Sequence, residues 1–253
     1  MAAANRHMLT LPARVAHLWL VQPEAIQAPT VLARYHALLS EDEKARHARF
    51  AFASDRHRYL VTRALVRTTL SAYADVPPHA WCFATNAHGR PRVDQPAAPA
   101  GLDFNVSHTK GLVVCLIGRD VPLGVDVEHI DRRTDIAAVA PRFFSREEAC
   151  SLAELPAAAQ RERFFQYWTL KEAYIKARGV GLALPLSQFT FHLQQHCPAV
   201  RISFGPQIDD APEAWQFVRL QPTATHRIAA AFRRGAGPDI QVDVRHIVPW
   251  PRD

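Results

Sequence analysis

The sequence predicts a mixed α/β fold, arranged as one large domain or as two half-size lobes sharing a cleft. Three observations predict it. The chain has 253 residues, near the upper limit for one hydrophobic core. Its residues are 48% apolar and 21% charged, an ordinary globular balance far from the apolar-poor composition of disorder. Stretches of period-two alternation and stretches with helical apolar spacing also interleave along the whole length.

A first strand is predicted over His17–Val21, then a helix over Ala28–Leu39 and a polar break at Ser40-Glu41-Asp42-Glu43. From Asp55 to Tyr73 the apolar residues Tyr59, Leu60, Ala64, Leu65, Leu70 and Tyr73 recur at helical spacing, with Arg56, Arg58, Arg63 and Arg67 among them. Pro77-Pro78 closes that helix. Pro96 and Pro99 make Val93–Gly101 a surface loop. It leads into FNVSH and the apolar run LVVCLIG, two strands around a turn at Thr109-Lys110-Gly111. A third strand, LGVDVE, follows the turn at Gly118–Pro122, and the boundary between lobes falls there, giving 1–121 and 122–253.

In the second half, Ser145-Arg146-Glu147-Glu148 is an S-x-x-E capping box whose short helix is closed by Pro156. A long helix runs over Ala157–Arg178, with basic residues in its last turn and Gly179 as its stop. Phe189–Leu193, Trp215–Leu220, His226–Phe232 and Ile240–Val244 alternate as strands do. No internal repeat is legible.

Thirty basic against 24 acidic side chains give +6 and a pI near 9.5, which suits anionic partners. No basic block exceeds two adjacent residues (Arg132-Arg133, Arg233-Arg234), and aromatics do not interleave with them, so nucleic acid is not the expected partner. Cys82, Cys115, Cys150 and Cys197 are widely spaced, without a CxxC pair, which suggests neither zinc nor disulfides and fits a reducing cytoplasm. Asn5, Arg6, His7, Pro12 and Arg14 interrupt the N-terminal apolar stretches, so a signal peptide is not expected. Leu112–Ile117 is too short to span a bilayer.

Candidate chemistry lies in three acidic residues and a histidine. In LGVDVE, Leu123, Val125 and Val127 share one face while Asp126 and Glu128 share the other, about 7 Å apart along the strand. A hard cation with oxygen ligands would relieve their repulsion; a solvated strand face shows the same pattern. On the long helix, Phe165, Trp168, Glu172 and Ile175 form one stripe, so Glu172 needs a partner among aromatics. Lys176, one turn on, supplies it as a plain ion pair, or a metal and a phosphate satisfy both charges. His108 emerges at a strand end beside Ser107, where it is either structural or a phosphate ligand.

Taken in order, FNVSH, LGVDVE and WTLKEAYIKARGVGLALPL, with FFSREE between the last two, resemble the signature segments of the 4′-phosphopantetheinyl transferases, specifically the two-lobed, surfactin-synthetase-activating class. The resemblance is clear over Phe50–Phe191; the first ~45 and last ~60 residues are only compatible with it. It implies two similar α/β lobes with pseudo-twofold symmetry and coenzyme A in the cleft between them. It implies a holo-[acyl-carrier-protein] synthase type of reaction, moving the 4′-phosphopantetheine arm of coenzyme A to a carrier-protein serine and releasing 3′,5′-adenosine bisphosphate. Asp126, Glu128 and Glu172 would ligate Mg²⁺, Glu172 would take the serine proton, and His108, Ser107 and Lys176 would meet the phosphates.

By the same resemblance, Arg90 in His88-Gly89-Arg90-Pro91 replaces a lysine that touches the nucleotide, and Arg58 lies near the adenine and its ribose. Of two positions that carry lysines toward the 3′-phosphate, one reads Glu43, leaving Arg46 at the other and Lys44 as a substitute. Acidic acyl or peptidyl carrier proteins of fatty-acid, polyketide or nonribosomal-peptide assembly are the implied partners, meeting roughly Asp131–Glu148, where Arg132, Arg133, Phe143 and Phe144 offer charge and apolar area. Phe143 or Phe144, or both, could equally belong to the core. A monomer is expected, since two lobes already form the cleft. The competing readings are a metal-dependent phosphodiester hydrolase and a non-reacting relative that only binds, the latter disfavoured by intact Asp126, Glu128, Glu172 and Lys176.

Overall fold

The computed structural model describes residues 8–194 and 199–250; Asn5, Arg6, His7 and Cys197 lie outside them. The first lobe runs β1 (Val15–Val21), α1 (Pro29–Leu38), α2 (Glu41–Ala48), α3 (Ala53–Ser71), β2 (Cys82–Thr85), β3 (Pro91–Gln95), β4 (Leu102–Thr109) and β5 (Leu112–Arg119). The second runs β6 (Leu123–His129), α4 (Ile136–Phe143), α5 (Arg146–Ala153), α6 (Ala157–Arg178), β7 (Phe189–Leu193), β8 (Val200–Phe204), β9 (Trp215–Thr223) and β10 (His226–Arg233). A last strand, β11 (Gln241–His246), lies beside β1 and parallel to it. The expectation had put this segment in the second lobe; its ladder is with the first.

The two halves repeat one topology. Each opens on a strand, passes through helices ending in a long one, makes a separate two-stranded hairpin, and closes with two antiparallel strands that return to the opening strand. The sheets are ordered β1-β5-β4 and β6-β10-β9, and the hairpins are β2-β3 and β7-β8. Equivalent strands meet where the lobes pack: Leu18 and Leu20 of β1 and Val114 and Leu116 of β5 share one buried layer with Val125 and Val127 of β6 and Ile228 and Phe232 of β10. This equivalence is the pseudo-twofold relation.

That layer explains the sequence patterns. Strand β5 is buried on both faces, with Val113, Cys115 and Ile117 against the first lobe's helices and Leu112, Val114 and Leu116 against the second lobe. A strand covered on both sides reads as an unbroken apolar run. In β6 only one face meets this layer, so Leu123, Val125 and Val127 alternate with Gly124, Asp126 and Glu128 on the other face.

Four differences from expectation have physical causes. The polar break at 40–43 is the first turn of α2: the Ser40 hydroxyl accepts from the Glu43 N–H, and the Glu43 carboxylate accepts from the Ser40 N–H. This capping box was passed over because α2 buries none of its residues and has no apolar stripe. Val93–Gln95 lies in a strand rather than a loop, because the HGRP turn closes a hairpin pairing Phe83 with Val93. Strand β8 pairs with β7 in a segment without clear alternation. Helix α4 begins at Asp135, whose side chain accepts from the Ala138 N–H.

Candidate active site

The site forms where the edge of one lobe's sheet meets the edge of the other's. Strand β4 faces β6, and alternate polar residues of β4 do what a backbone ladder would do. Asn105 Oδ1 accepts from the Val125 N–H at 2.8 Å, Ser107 Oγ from the Val127 N–H at 3.4 Å, and Thr109 Oγ1 from the His129 N–H at 3.3 Å. The period of two puts all three on one side of β4. The N-x-S-x-T pattern is therefore the seam between lobes, and it fixes Asp126 and Glu128 relative to the first lobe.

Helix α6 supplies the rest, and Gly124 sets its distance. A Cβ on Gly124 would lie 2.2 Å from the Ala173 carbonyl oxygen and 2.4 Å from the Ala177 nitrogen, so the helix backbone rests directly on β6. This brings Lys176 Nζ to 2.6 Å from Asp126 Oδ1, 3.1 Å from Ser107 Oγ and 3.2 Å from the Val125 carbonyl. The Ser107 hydroxyl donates to the same Asp126 oxygen at 2.9 Å. The other oxygen, Asp126 Oδ2, is buried with no hydrogen-bond partner.

The other two carboxylates share the same crowding. Glu128 pairs with Arg132 at 2.8 Å, yet burial, and then the charge of Asp126, push its pKa up to about 7. Glu172 is also raised, first by burial and then by Asp126. As the side chains lie, no group of three His, Cys, Asp or Glu among the described residues is gathered to hold a metal ion. Asp126 turns toward Lys176 and Glu128 toward Arg132, so each takes a cation of the chain. The mutual strain and the orphaned Oδ2 remain, and both suit a hard divalent ion with oxygen ligands.

A cleft of about 740 Å³ runs from this cluster into the first lobe. Its lining includes Ser107, His108, Asp126 and Lys176 together with Arg46, Arg63, Arg67, Phe83 and Val106. The exposed ring of His108 has a lowered pKa, through desolvation within the cleft and then the positive charges of Arg58 and Lys176. Arg58 itself is paired with Asp55. Arg46 lies over the Tyr59 ring, 5.8 Å from its centre. Lys44 pairs with exposed Glu41 at 2.7 Å and is absent from the cleft lining.

Arg90 is engaged at the end of α6. Its guanidinium donates to the Lys176 carbonyl at 2.7 Å, to the Ala177 carbonyl at 3.2 Å and to Asp103 at 2.6 Å. It thus caps the end of α6, where carbonyls lack intrahelical partners. Asn86 does the same for the Gly179 carbonyl at 2.7 Å. Only the flanking Gly89 and Pro91 of that turn line the cleft. Of the two phenylalanines, Phe144 is core, and Phe143 packs half-buried with its ring centre 5.9 Å from that of Trp168. Sequence reasoning missed Arg63, Arg67 and Phe83. A signal was present, since Tyr59, Arg63 and Arg67 fall at spacings of four and so share a face of α3.

The two-lobed α/β chain thus has a cleft in which Asp126, Lys176 and His108 share the lining with Arg46, Arg63 and Arg67. Comparison with known proteins identifies the family. Residues 122–231 match the 4′-phosphopantetheinyl transferase superfamily, and residues 28–119 match the family described as 4′-phosphopantetheinyl transferase, N-terminal. The chain is 35% identical over 85% of its length, and 86% of the relative's, to the 4′-phosphopantetheinyl transferase HetI of a Nostoc species. It is 32% identical to the 4′-phosphopantetheinyl transferase Sfp of Bacillus subtilis over 64% of this chain and 70% of that one. The chain belongs to the 4′-phosphopantetheinyl transferase superfamily.

Proposed function

We propose that this protein transfers the 4′-phosphopantetheine arm of coenzyme A to a serine of an acyl or peptidyl carrier protein, as a holo-[acyl-carrier-protein] synthase does, releasing 3′,5′-adenosine bisphosphate. The observation that carries this reading is that Asp126, bonded to Ser107 and Lys176, lines one cleft with them and with His108, while burial and then its charge raise the pKa of Glu128 and of Glu172. Asp126, through its unpartnered Oδ2, Glu128 and Glu172 would hold Mg²⁺, which when bound supplies positive charge to the pyrophosphate.

The residues then divide the work. Lys176 and His108 orient the pyrophosphate oxygens, and an anion beside His108 favours its protonated, doubly donating form. Ser107 steadies Lys176 and Asp126. Glu172, whose carboxyl burial and then the charge of Asp126 make more basic than usual, accepts the proton of the carrier serine as its oxygen bonds to the β-phosphorus. The bond from that phosphorus to the bridging oxygen breaks, and the bisphosphate leaves with the electron pair. Such chemistry depends on positioning and charge neutralisation more than on covalent help. Arg46 and Arg58 face the nucleotide, and Arg90 acts on it through the placement of α6.

The +6 charge suits an acidic carrier, with exposed Arg132 and Arg133 beside the site. We assign lobes 1–121 and 122–253, with β11 returning to the first, and a monomer in the cytoplasm. Free thiols at Cys82, Cys115 and Cys150 accord with that compartment, and among the described residues no helix is long and apolar enough to cross a membrane. Intact-mass spectrometry of an apo carrier protein with coenzyme A and Mg²⁺ tests the reading. Wild type should add the mass of one phosphopantetheine arm, and Glu172→Ala or a metal-free mixture should not. No gain across fatty-acid, polyketide and peptide carriers would sink it and favour phosphodiester hydrolysis.

A further inference from the structure

Asp126 has Lys176 as its cation, and Glu128 has one of its own in Arg132. The turn after β6 brings Arg132 there. The Ile130 N–H donates to the Thr225 carbonyl at 2.8 Å, and the guanidinium of Arg161, on α6, donates to the carbonyls of Ile130 and Arg132. Arg161 thus fastens the turn to the helix. From that anchor the Arg132 side chain lies over Phe165 and Trp168, its guanidinium carbon 5.6 and 5.8 Å from their ring centres, and its Nη1 stands 2.8 Å from Glu128 Oε1.

The two cations are held differently. Lys176 Nζ donates to the Ser107 hydroxyl and the Val125 carbonyl as well as to Asp126. Arg132 meets Glu128 from the solvent side, with 41% of its side chain exposed against 10% for the carboxylate. Its charge also acts beyond that carboxylate. Burial and then Asp126 raise the pKa of both Glu128 and Glu172, and in both Arg132 opposes the rise. Counted formally, Asp126, Glu128 and Glu172 with these two cations keep one net negative charge; with Lys176 alone they would keep two. A half-exposed ion pair is worth little in itself, yet its positive charge weakens the pull of the carboxylates on any other cation.

We propose that Arg132 is a resident counter-ion which a divalent metal must displace from Glu128, so that this exchange sets the affinity of the site for metal, and that Arg161 is the positioning residue that holds Arg132 in reach. The assignment rests on the proposed metal site. The same oxygen serves both partners in turn, and the aromatic rings keep a place for the guanidinium stem when it is displaced.

Titration of the full chain with Mn²⁺ alone, followed by loss of the free-ion paramagnetic resonance signal, reads this without coenzyme A, carrier or turnover. A pH of about 8 keeps Glu128 mostly ionised, since its pKa is pushed up to about 7 by burial and then Asp126. Arg132→Met keeps an apolar stem over the rings and should bind Mn²⁺ about 10- to 100-fold more tightly, the effect of one unit charge a few ångströms from a divalent ion in a largely aqueous dielectric. Damage to the site would weaken binding, so a gain separates competition from a structural role. Arg132→Lys keeps the charge and should stay within about threefold of wild type; Arg161→Met should gain several-fold, less than Arg132→Met. Unchanged or weaker binding in Arg132→Met would overturn the exchange, as would an equal gain in Arg132→Lys. Wild-type affinity in Arg161→Met would overturn its positioning role. If neither wild type nor Arg132→Met bound Mn²⁺, the metal site and this proposal would fall together. The expected gain in Arg132→Met beside a wild type that leaves every carrier's mass unchanged would sink the transferase reading and keep this one.

Discussion

Helix α6 carries two lysines five residues apart whose side chains meet opposite fates. Lys171 is wholly buried, with Nζ 2.7 Å from Glu148, also wholly buried, and donating to the Leu186 and Phe189 carbonyls at 2.7 and 2.8 Å. Glu148 also accepts from the N–H groups of Ser145 and Phe191, so one carboxylate joins α5, α6 and β7. Glu148→Ala should cost about 3–5 kcal/mol in urea unfolding, because it strands the Lys171 charge in the core. A loss under 1 kcal/mol would mean the pair is hydrated. Lys176→Met should do the reverse, lowering the transfer rate about 100-fold or more while unfolding stays within about 2 kcal/mol of wild type. The sequence displayed Lys176 and Glu172 through helical spacing, but it could not separate the two lysines, since burial of Lys171 depends on where α5 and β7 arrive. The contact of Arg90 was hidden for the same reason: its turn is local, while its partner, the end of α6, is 86 residues away.

Among elements, those that bury an apolar face were legible and those that do not were hidden. The limits of α6 and its stop at Gly179, with φ of +67°, matched the expected ones. Helix α2, charged throughout, was not seen, although Ser40 and Glu43 spell its cap. Gly124 shows what the spacing of β6 conceals, for nothing in LGVDVE says that a helix backbone touches it. Gly124→Ala should force α6 off β6, costing about 1–3 kcal/mol or more, and should lower transfer by separating Lys176 from Asp126. Wild-type stability and rate in this variant would show that the contact yields. Strand β11 offers a pH test. Arg245 donates to His17 Nε2 at 3.1 Å, and His17 Nδ1 donates to the Tyr73 hydroxyl at 2.5 Å, a pattern open only to the neutral ring. Burial first, then Arg245, lowers the His17 pKa. Because the unfolded ring binds its proton more readily, this stability is full above about pH 6.5 and is lost as pH falls through the folded value. Melting temperatures from pH 7.5 to 5 should fall less steeply in His17→Gln than in wild type; parallel curves would refute the linkage.

At the scale of the molecule, the repeat escaped the sequence because the lobes share topology without sharing residues: FNVSH and LGVDVE occupy non-equivalent strands and do different work. What unites the halves is the apolar layer between their sheets, together with the Asn105, Ser107 and Thr109 seam and the return of β11 to β1. Layers that each lobe can cover only with the other leave neither half a complete core. Unfolding should therefore be a single transition for both lobes. Trp19 and Trp81 are buried in the first lobe and Trp215 in the second, with Trp168 packed against the second core, so variants keeping one tryptophan from either lobe can report each half separately. Their urea midpoints should coincide, after correction for each substitution's own effect. Phe232→Ala, which opens a hole in the shared layer, should lower both midpoints together by the equivalent of about 3–5 kcal/mol. If the second-lobe reporter alone shifted, the layer would belong to that lobe, and the cleft would join two independently stable bodies.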